Sequence, residues 1–278
     1  MRKTLSILVS VLMIVSLFAV GVNAAEGTAI NSADEFKAMA ADGTYYLNAD
    51  ITVTETFESD FTGTLDGNGH TVTVSVPMFK QMNGTVKNLT IVGEISTEIS
   101  NQAQIGTLAQ QSKGATVDNV TNKANVTVTQ TDGSEGRVGG IIGRLNGHGD
   151  TGHAAVITNC TNEGNITSDG STGGIVGGSY SPSTVFDGCV NKGTITNTDG
   201  ISTCFAAAGI CGYSGQGAIT VKNSVNYGDV VSACRAAGII GDARKSATIE
   251  NCTNNSKISL SQTAKNAGGA TTAGGIVG

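Results

Sequence analysis

The chain has 278 residues, enough for one large domain or two ordinary ones. Hydrophobic residues make up 39% of it but aromatics only 4%, with no Trp, which disfavours a core built around large rings; 39 Gly against 2 Pro, among abundant Asn, Thr, Val and Ile, favours strands and tight turns. The net charge of −6 argues against nucleic acid as a partner, since that needs a basic footprint, and mainly serves solubility.

The chain opens on "MRKTLSILVSVLMIVSLFAVGVNAAEG": basic Arg2 and Lys3, an apolar run over 5–22, and small residues Val22 and Ala24 ahead of Ala25. That is the layout of a secretory signal peptide over 1–24. The run approaches the length of a membrane span, so an uncleaved anchor is the rival reading, but the Ser residues inside it and the cleavage-like end favour removal. No lipid-attachment Cys follows. The mature chain is expected to begin near Ala25, secreted or at the cell surface, with no membrane contact after cleavage.

Residues 25–43 read as an N-terminal helical cap. Ser32 and Glu35 form a capping box, and Phe36, Met39 and Ala40 share one face. Tyr45, Tyr46 and Leu47 begin the first strand. In "FTGTLDGNGHTVTV" the run Asp66, Gly67, Asn68, Gly69 is a tight turn between strands. Asp66 with His70 invites an acid–base reading, but turn chemistry explains both.

From there two motifs alternate. One is "VKNLTIVGEI", "VDNVTNKANV", "ITNCTNEGNI", "FDGCVNKGTI", "VKNSVNYGDV" and "IENCTNNSKI". It aligns on Asn122, Asn162, Asn191, Asn226 and Asn254, with Ile91 in the first copy. Apolar residues recur five before and four after that position, and a small residue stands between strand and strand. The copies are spaced 31, 40, 29, 35 and 28 residues apart. A helix-pair repeat holds its period more tightly. Uneven length around fixed strand motifs predicts an all-β, right-handed parallel β-helix over 44–278, each rung holding about three short strands stacked at roughly 4.8 Å. The cap over 25–43 would plug its open end. A propeller or sandwich would need longer strands or aromatic signatures.

The second motif is "GGIIG", "GGIVG", "AGICG", "AGIIG" and "GGIVG", expected to form a third strand with Ile141, Ile175, Ile210, Ile239 and Ile276 inside. The next position (Ile142, Val176, Cys211, Ile240, Val277) is also apolar, which breaks strict alternation; burial at a bend is preferred over an exposed apolar stripe. The asparagine column reads as a structural side-chain ladder at a corner, where Asn also tolerates left-handed backbone, in preference to a ligand-binding row.

The segments "GTYYLNADITVT", "FTGTLDGNGHTV", "GTVKNLTIVGEI" and the repeated "GGIVG" together resemble secreted bacterial β-helix proteins with GLUG motifs, over residues 43–278. The resemblance implies the solenoid architecture and adhesin-like surface proteins, and also parts of some immunoglobulin A peptidases outside their catalytic domain. The chain has no HExxH motif, so that peptidase chemistry does not carry over.

Other candidate chemistry is sparse. Six Cys in an exported protein suggest disulfides. Cys160 and Cys189 stack as neighbours, but their column interchanges Val, Leu, Cys and Ser, which reads as small buried residues; Cys204 and Cys234 are the better pair for a bridge. "GHGDTGH" offers His148, Asp150 and His153 as weak metal candidates in a Gly-rich loop. Acidic residues are thinly spread, and Arg235, Arg244 and Lys245 come closest to a cationic patch. The expectation is therefore a non-enzymatic stalk or adhesive presentation surface without cofactors, meeting glycans or host or cell-surface proteins. The alternatives are a polysaccharide lyase or hydrolase, or a spacer for a catalytic domain beyond residue 278. The final "GGIVG" repeats an inner strand motif, so the coil is expected to continue into further domains.

Overall fold

Rungs of unequal length can stack only if each keeps the same backbone hydrogen-bonding frame. The computed structural model describes residues 25–102, 104–131, 136–146, 153–198, 205–261 and 271–278. Among them every strand pairing is parallel, and successive pairings run one way along a single axis. The chain is a parallel β-helix, nearly all strand, with one short helix among the described residues. Parallel strands need crossover connections; here the rest of each rung is the crossover. One ladder contains twenty strands, a second seven and a third six.

The aligned columns are real registers. Val117 pairs with Val86 and Ile157, Ile157 with Phe186, Phe186 with Val221 and Val221 with Ile249. A second inward column runs Ile95, Val126, Ile166, Ile195, Val230, Ile258. Rungs hold more strands than the three expected. The rung beginning at Ala155 comprises Ala155–Thr158, Thr161–Asn162, Ile166–Ser168, Ser171–Gly173 and Val176–Ser179. The extra breaks are corners, which the sequence motif compresses into single residues.

At the Gly-aliphatic corner both aliphatic side chains turn inward. Ile141, Ile175, Ile210 and Ile239 are fully buried, and so are Ile142, Val176, Cys211 and Ile240. In the last copy Ile276 is half-buried and Val277 exposed. The backbone explains the doubling. The Ile175 carbonyl accepts from both Ile141 N (3.0 Å) and Ile142 N (3.1 Å), and the Ile210 carbonyl accepts from both Ile175 N and Val176 N. One oxygen serving two consecutive N–H groups bends the chain between them, so period-two alternation fails there. The corner also recurs where its sequence is no longer legible: Leu108 N and Ala109 N share the Ile141 carbonyl.

The N-terminal end is built differently. The strand Thr28–Ile30 pairs with Thr44–Leu47, so the first strand precedes the helix instead of following it. The helix Ala33–Lys37 starts at Ser32, whose hydroxyl accepts from Glu35 N. The Glu35 carboxylate returns to Asn31 N, one residue before the cap, so the reciprocal half of the expected box is displaced. Phe36 and Met39 are buried, but Ala40 is exposed and lies off their face. Phe36 packs edge-on against Phe79 (ring centroids 5.3 Å apart) and Phe57 (6.2 Å), and Phe61 stacks on Phe79 at 4.9 Å. Four of the chain's seven Phe thus form a local aromatic core that composition alone did not suggest.

Phe36→Ala should empty the centre of this plug. The expected loss is about 3–5 kcal/mol, read as a lowered midpoint of thermal unfolding. An unchanged midpoint would mean that the helix does not anchor the first rungs.

Candidate functional site

The five aligned asparagines stand directly above one another in register. Asn122, Asn162, Asn191 and Asn226 are fully buried. Each Nδ2 donates to the Oδ1 one rung on: Asn122 to Asn162 (2.7 Å), Asn162 to Asn191 (2.8 Å), Asn191 to Asn226 (2.7 Å) and Asn226 to Asn254 (2.8 Å). The second Nδ2 hydrogen serves the carbonyl two residues on, as from Asn191 to Gly193. A buried carboxamide without partners would cost roughly 1–3 kcal/mol, and here neighbours along the axis meet the need.

The Gly-aliphatic corner closes on this spine from across the interior. A Cβ built on Gly174 would lie 2.6 Å from Asn191 Oδ1 and collide with the Gly209 carbonyl; one on Gly140 would lie 2.6 Å from Asn162 Oδ1. The two sequence motifs are therefore halves of one contact. Left-handed backbone belongs to a different row. Asn88, Asn119, Asn159, Asn223 and Asn251 all have φ between 53° and 55° except Asn223, at 50°, and Gly188 fills the remaining copy at 67°. This outer row also links rungs, as in Asn119 Nδ2 to Asn88 Oδ1 (2.9 Å) and Asn223 Nδ2 to Asp187 Oδ1 (2.7 Å).

Most of the remaining sequence candidates are dispersed. His70 meets Asp50 at 3.1 Å, not Asp66. Asp66 accepts from Asn68 N, Asn88 Nδ2 and Lys87; burial alone would raise its carboxyl, but those donors hold it below the ordinary range. His148 and Asp150 lie outside the described residues, and His153 is exposed. Among the described residues no group of three potential metal ligands converges. Cys160, Cys189, Cys211 and Cys252 are free thiols. Cys234 is disulfide-bonded, and Cys204 lies outside the described residues.

One lateral face does gather chemistry. The seven-strand and six-strand ladders meet at the Gly-aliphatic corner, and side chains from both project there. Arg144 lies over the Tyr180 ring, 4.2 Å from its centroid; Tyr180 and Tyr213 are 5.4 Å apart; Arg244 lies 5.6 Å from Tyr213. Behind them Arg137, only 4% exposed, contacts Tyr213 at 4.8 Å and donates to the Tyr180 hydroxyl and the Gly136 carbonyl. Asp242 lies between Arg235 (2.9 Å) and Arg244 (3.0 Å). Burial pushes the Tyr213 phenol up, and the nearby Tyr180 adds to the shift, so the phenol stays neutral. The sequence pointed to Arg235 and Arg244 but not to Arg137, Arg144, Tyr180 or Tyr213. Their spacing has no fixed period because the intervening rungs differ in length.

No family model matches the chain, and no curated protein does. Among solved structures, the crystal structure of a putative immunoglobulin A1 protease from Bacteroides ovatus is similar: 18% identity over 91% of this chain and 84% of that one, with a TM-score of 0.68. At that identity the likeness shows the fold. It also corrects the expectation of a non-enzymatic chain, because a protein of this architecture carries the name of a protease, so the architecture is no mark of a non-catalytic role.

Asn191→Ala should leave Asn162 Nδ2, Asn226 Oδ1 and the Gly193 carbonyl unmatched, costing about 1–3 kcal/mol for each buried group stranded and lowering the urea midpoint. Gly174→Ala should be worse, since its new methyl meets backbone that cannot step aside. Stability within about 0.5 kcal/mol of the parent for either would remove the spine from its structural role.

Burial pushes the thiols of Cys189 and Cys211 up to about 12, and that of Cys160 well above its ordinary value. The thiolate is the reactive species, so iodoacetamide at neutral pH should leave these three unmodified in the folded protein and alkylate them in urea. Fast labelling of Cys160, Cys189 or Cys211 in the native chain would contradict their burial.

Proposed function

We propose that the chain is an exported, GLUG-type β-helical presentation scaffold: a stiff stalk whose lateral faces meet glycans or cell-surface proteins outside the cytoplasm. The observation that supports this reading best is the continuous asparagine spine through successive rungs. It resists bending and slippage, while the outer faces are left to vary. Those faces carry ordered polar rows, such as Asn125, Asn165 and Thr194, in which each Asn side chain accepts from the next rung's backbone. Rigid arrays of that kind suit contact with extended or repetitive partners.

Two measurements test it. Expression of the full chain in a secreting bacterial host should release a protein whose first residue is Ala25; cytoplasmic retention or an intact N-terminus would refute export. The purified secreted chain should then bind saturably to intact cells or to an immobilised glycan panel. Absence of binding to every surface tried would leave the scaffold without its proposed role.

A second reading is catalytic, and the name of the similar Bacteroides ovatus protein favours it. Incubation with immunoglobulin A1, followed by fragment analysis, separates the two readings. Discrete fragments made by the chain would favour catalysis.

A further inference from the structure

We propose that the strand edge at residues 94–99 is a docking site for an extended, basic segment of a partner protein, which adds to the coil as an extra strand. This rests on the presentation reading and names one contact and its partner. The first observation is a step in the coil. Val74 pairs with Gly93, and Phe79 with Ala109. Between those two pairings the earlier rung spends four residues, 75–78, and the later rung fifteen, 94–108. The later rung therefore overhangs the earlier one. Its residues 94–99 pair with Asn125–Gln130 on one side, while on the other side pairing stops at Gly93. The strand Gln104–Ile105 likewise ends the six-strand ladder.

The second observation is what the overhanging edge offers. The Ile99 carbonyl accepts from Thr131 N, towards the next rung, and Thr90 N donates to the His70 carbonyl, towards the previous one. Backbone groups of successive strand residues point to opposite sides, so the N–H and C=O of Glu94, Ser96 and Glu98 face the step. Among the described residues no strand pairs there. An unpaired edge is a template for another strand, and main-chain hydrogen bonds give such an addition its affinity. The edge leads into a cleft of about 380 Å³ lined by Ile99, Gln102, Gln104, Ile105, Gln110 and Gln111. An added strand has room there for the residues that run past Ile99, and carboxamides can both donate to and accept from its peptide groups.

The third observation selects the occupant. Glu94, Ser96 and Glu98 are exposed on the outer face, with Ile95 buried beneath. Neither carboxylate has an ion pair or hydrogen bond among the described residues, whereas Glu55, Glu58 and Glu163 each hold a lysine. A second copy of this chain fits the edge badly. Two such edges paired antiparallel about Ser96 would set Glu94 against Glu98 twice, and a parallel pairing would set each glutamate against itself; like charges directly opposite destabilise a strand pair. A partner strand with Lys or Arg four residues apart on its outward side meets both glutamates instead.

The test follows binding of fluorescein-labelled hexapeptides to the full secreted chain by anisotropy. Lys-Val-Thr-Val-Lys-Val places a lysine opposite each glutamate, and Glu-Val-Thr-Val-Glu-Val reverses the charge. The lysine peptide should bind saturably and at least about fivefold more tightly than the glutamate peptide, the effect of two cross-strand pairs changing sign. Methylating its edge-facing backbone nitrogens should weaken it at least about tenfold, since the main-chain bonds carry the affinity. Glu94→Lys combined with Glu98→Lys should invert the preference. Ser96→Pro removes an edge-facing N–H and is tolerated on an edge strand; it should also weaken binding about tenfold. A cooperative thermal transition shows that each variant is folded. Equal binding of the two peptides, or full binding by folded Ser96→Pro, would overturn the inference. So would binding of neither peptide, which would leave the glutamates as guards that keep copies of the chain apart. If the lysine peptide fails and the parent still binds cells, the scaffold reading survives while this edge is ruled out. If the parent binds neither cells nor peptide, both fall.

Discussion

Everything in this coil depends on the contact between a buried carboxamide and a glycine across a narrow interior. A solenoid of short strands gains little from any one rung, so stability comes from stacking like on like. Apolar columns supply the burial but tolerate slippage, since Val, Ile, Leu and Cys are interchangeable to first order. Hydrogen-bonded asparagines do not slip. A shift by one residue would strand every Nδ2 and Oδ1 in the dry core. The glycines at the opposite corner let the backbone approach the carboxamides closely enough to exclude water, which is the condition under which such bonds matter most. Register and rung height follow from that contact in the rungs that carry it.

The same constraint separates scaffold from surface. Inward positions answer to the spine and vary little in kind. Outward positions answer only to their neighbours one rung away, and they form salt bridges in one place, left-handed asparagine rows in another, and a stacked arginine–tyrosine face where two ladders meet.

Much of the architecture was legible in the sequence because the solenoid writes its columns directly into the chain. Asn162, Asn191 and Asn226 could be aligned by eye, and the aligned residues are the ones that pair. What was not legible had specific causes. The corner at Leu108 and Ala109 keeps the shared-carbonyl geometry but has lost the paired glycines, so no motif marks it. The strand Thr28–Ile30 is three residues long and sits before a helix, where no repeat flags it. Left-handed backbone was assigned to the wrong asparagine because both rows have the same residue type, and only the backbone tells an inner carboxamide from an outer turn. The arginine–tyrosine face was missed for a deeper reason. Its members are brought together by rungs of different lengths, so their separations carry no period.

One property of the spine concerns the molecule as a whole. Every side-chain amide in it points the same way, N–H towards the rung that follows and oxygen towards the rung that precedes. The group dipoles therefore add. In an α-helix the aligned N–H groups face the N-terminus and make that end positive; in this spine they face the C-terminal rungs, so the polarity is reversed. The spine is vectorial, with its oxygen side towards Asn122 and its N–H side towards Asn254. The sum is a fixed dipole along the coil axis between Asn122 and Asn254, carried by side chains alone.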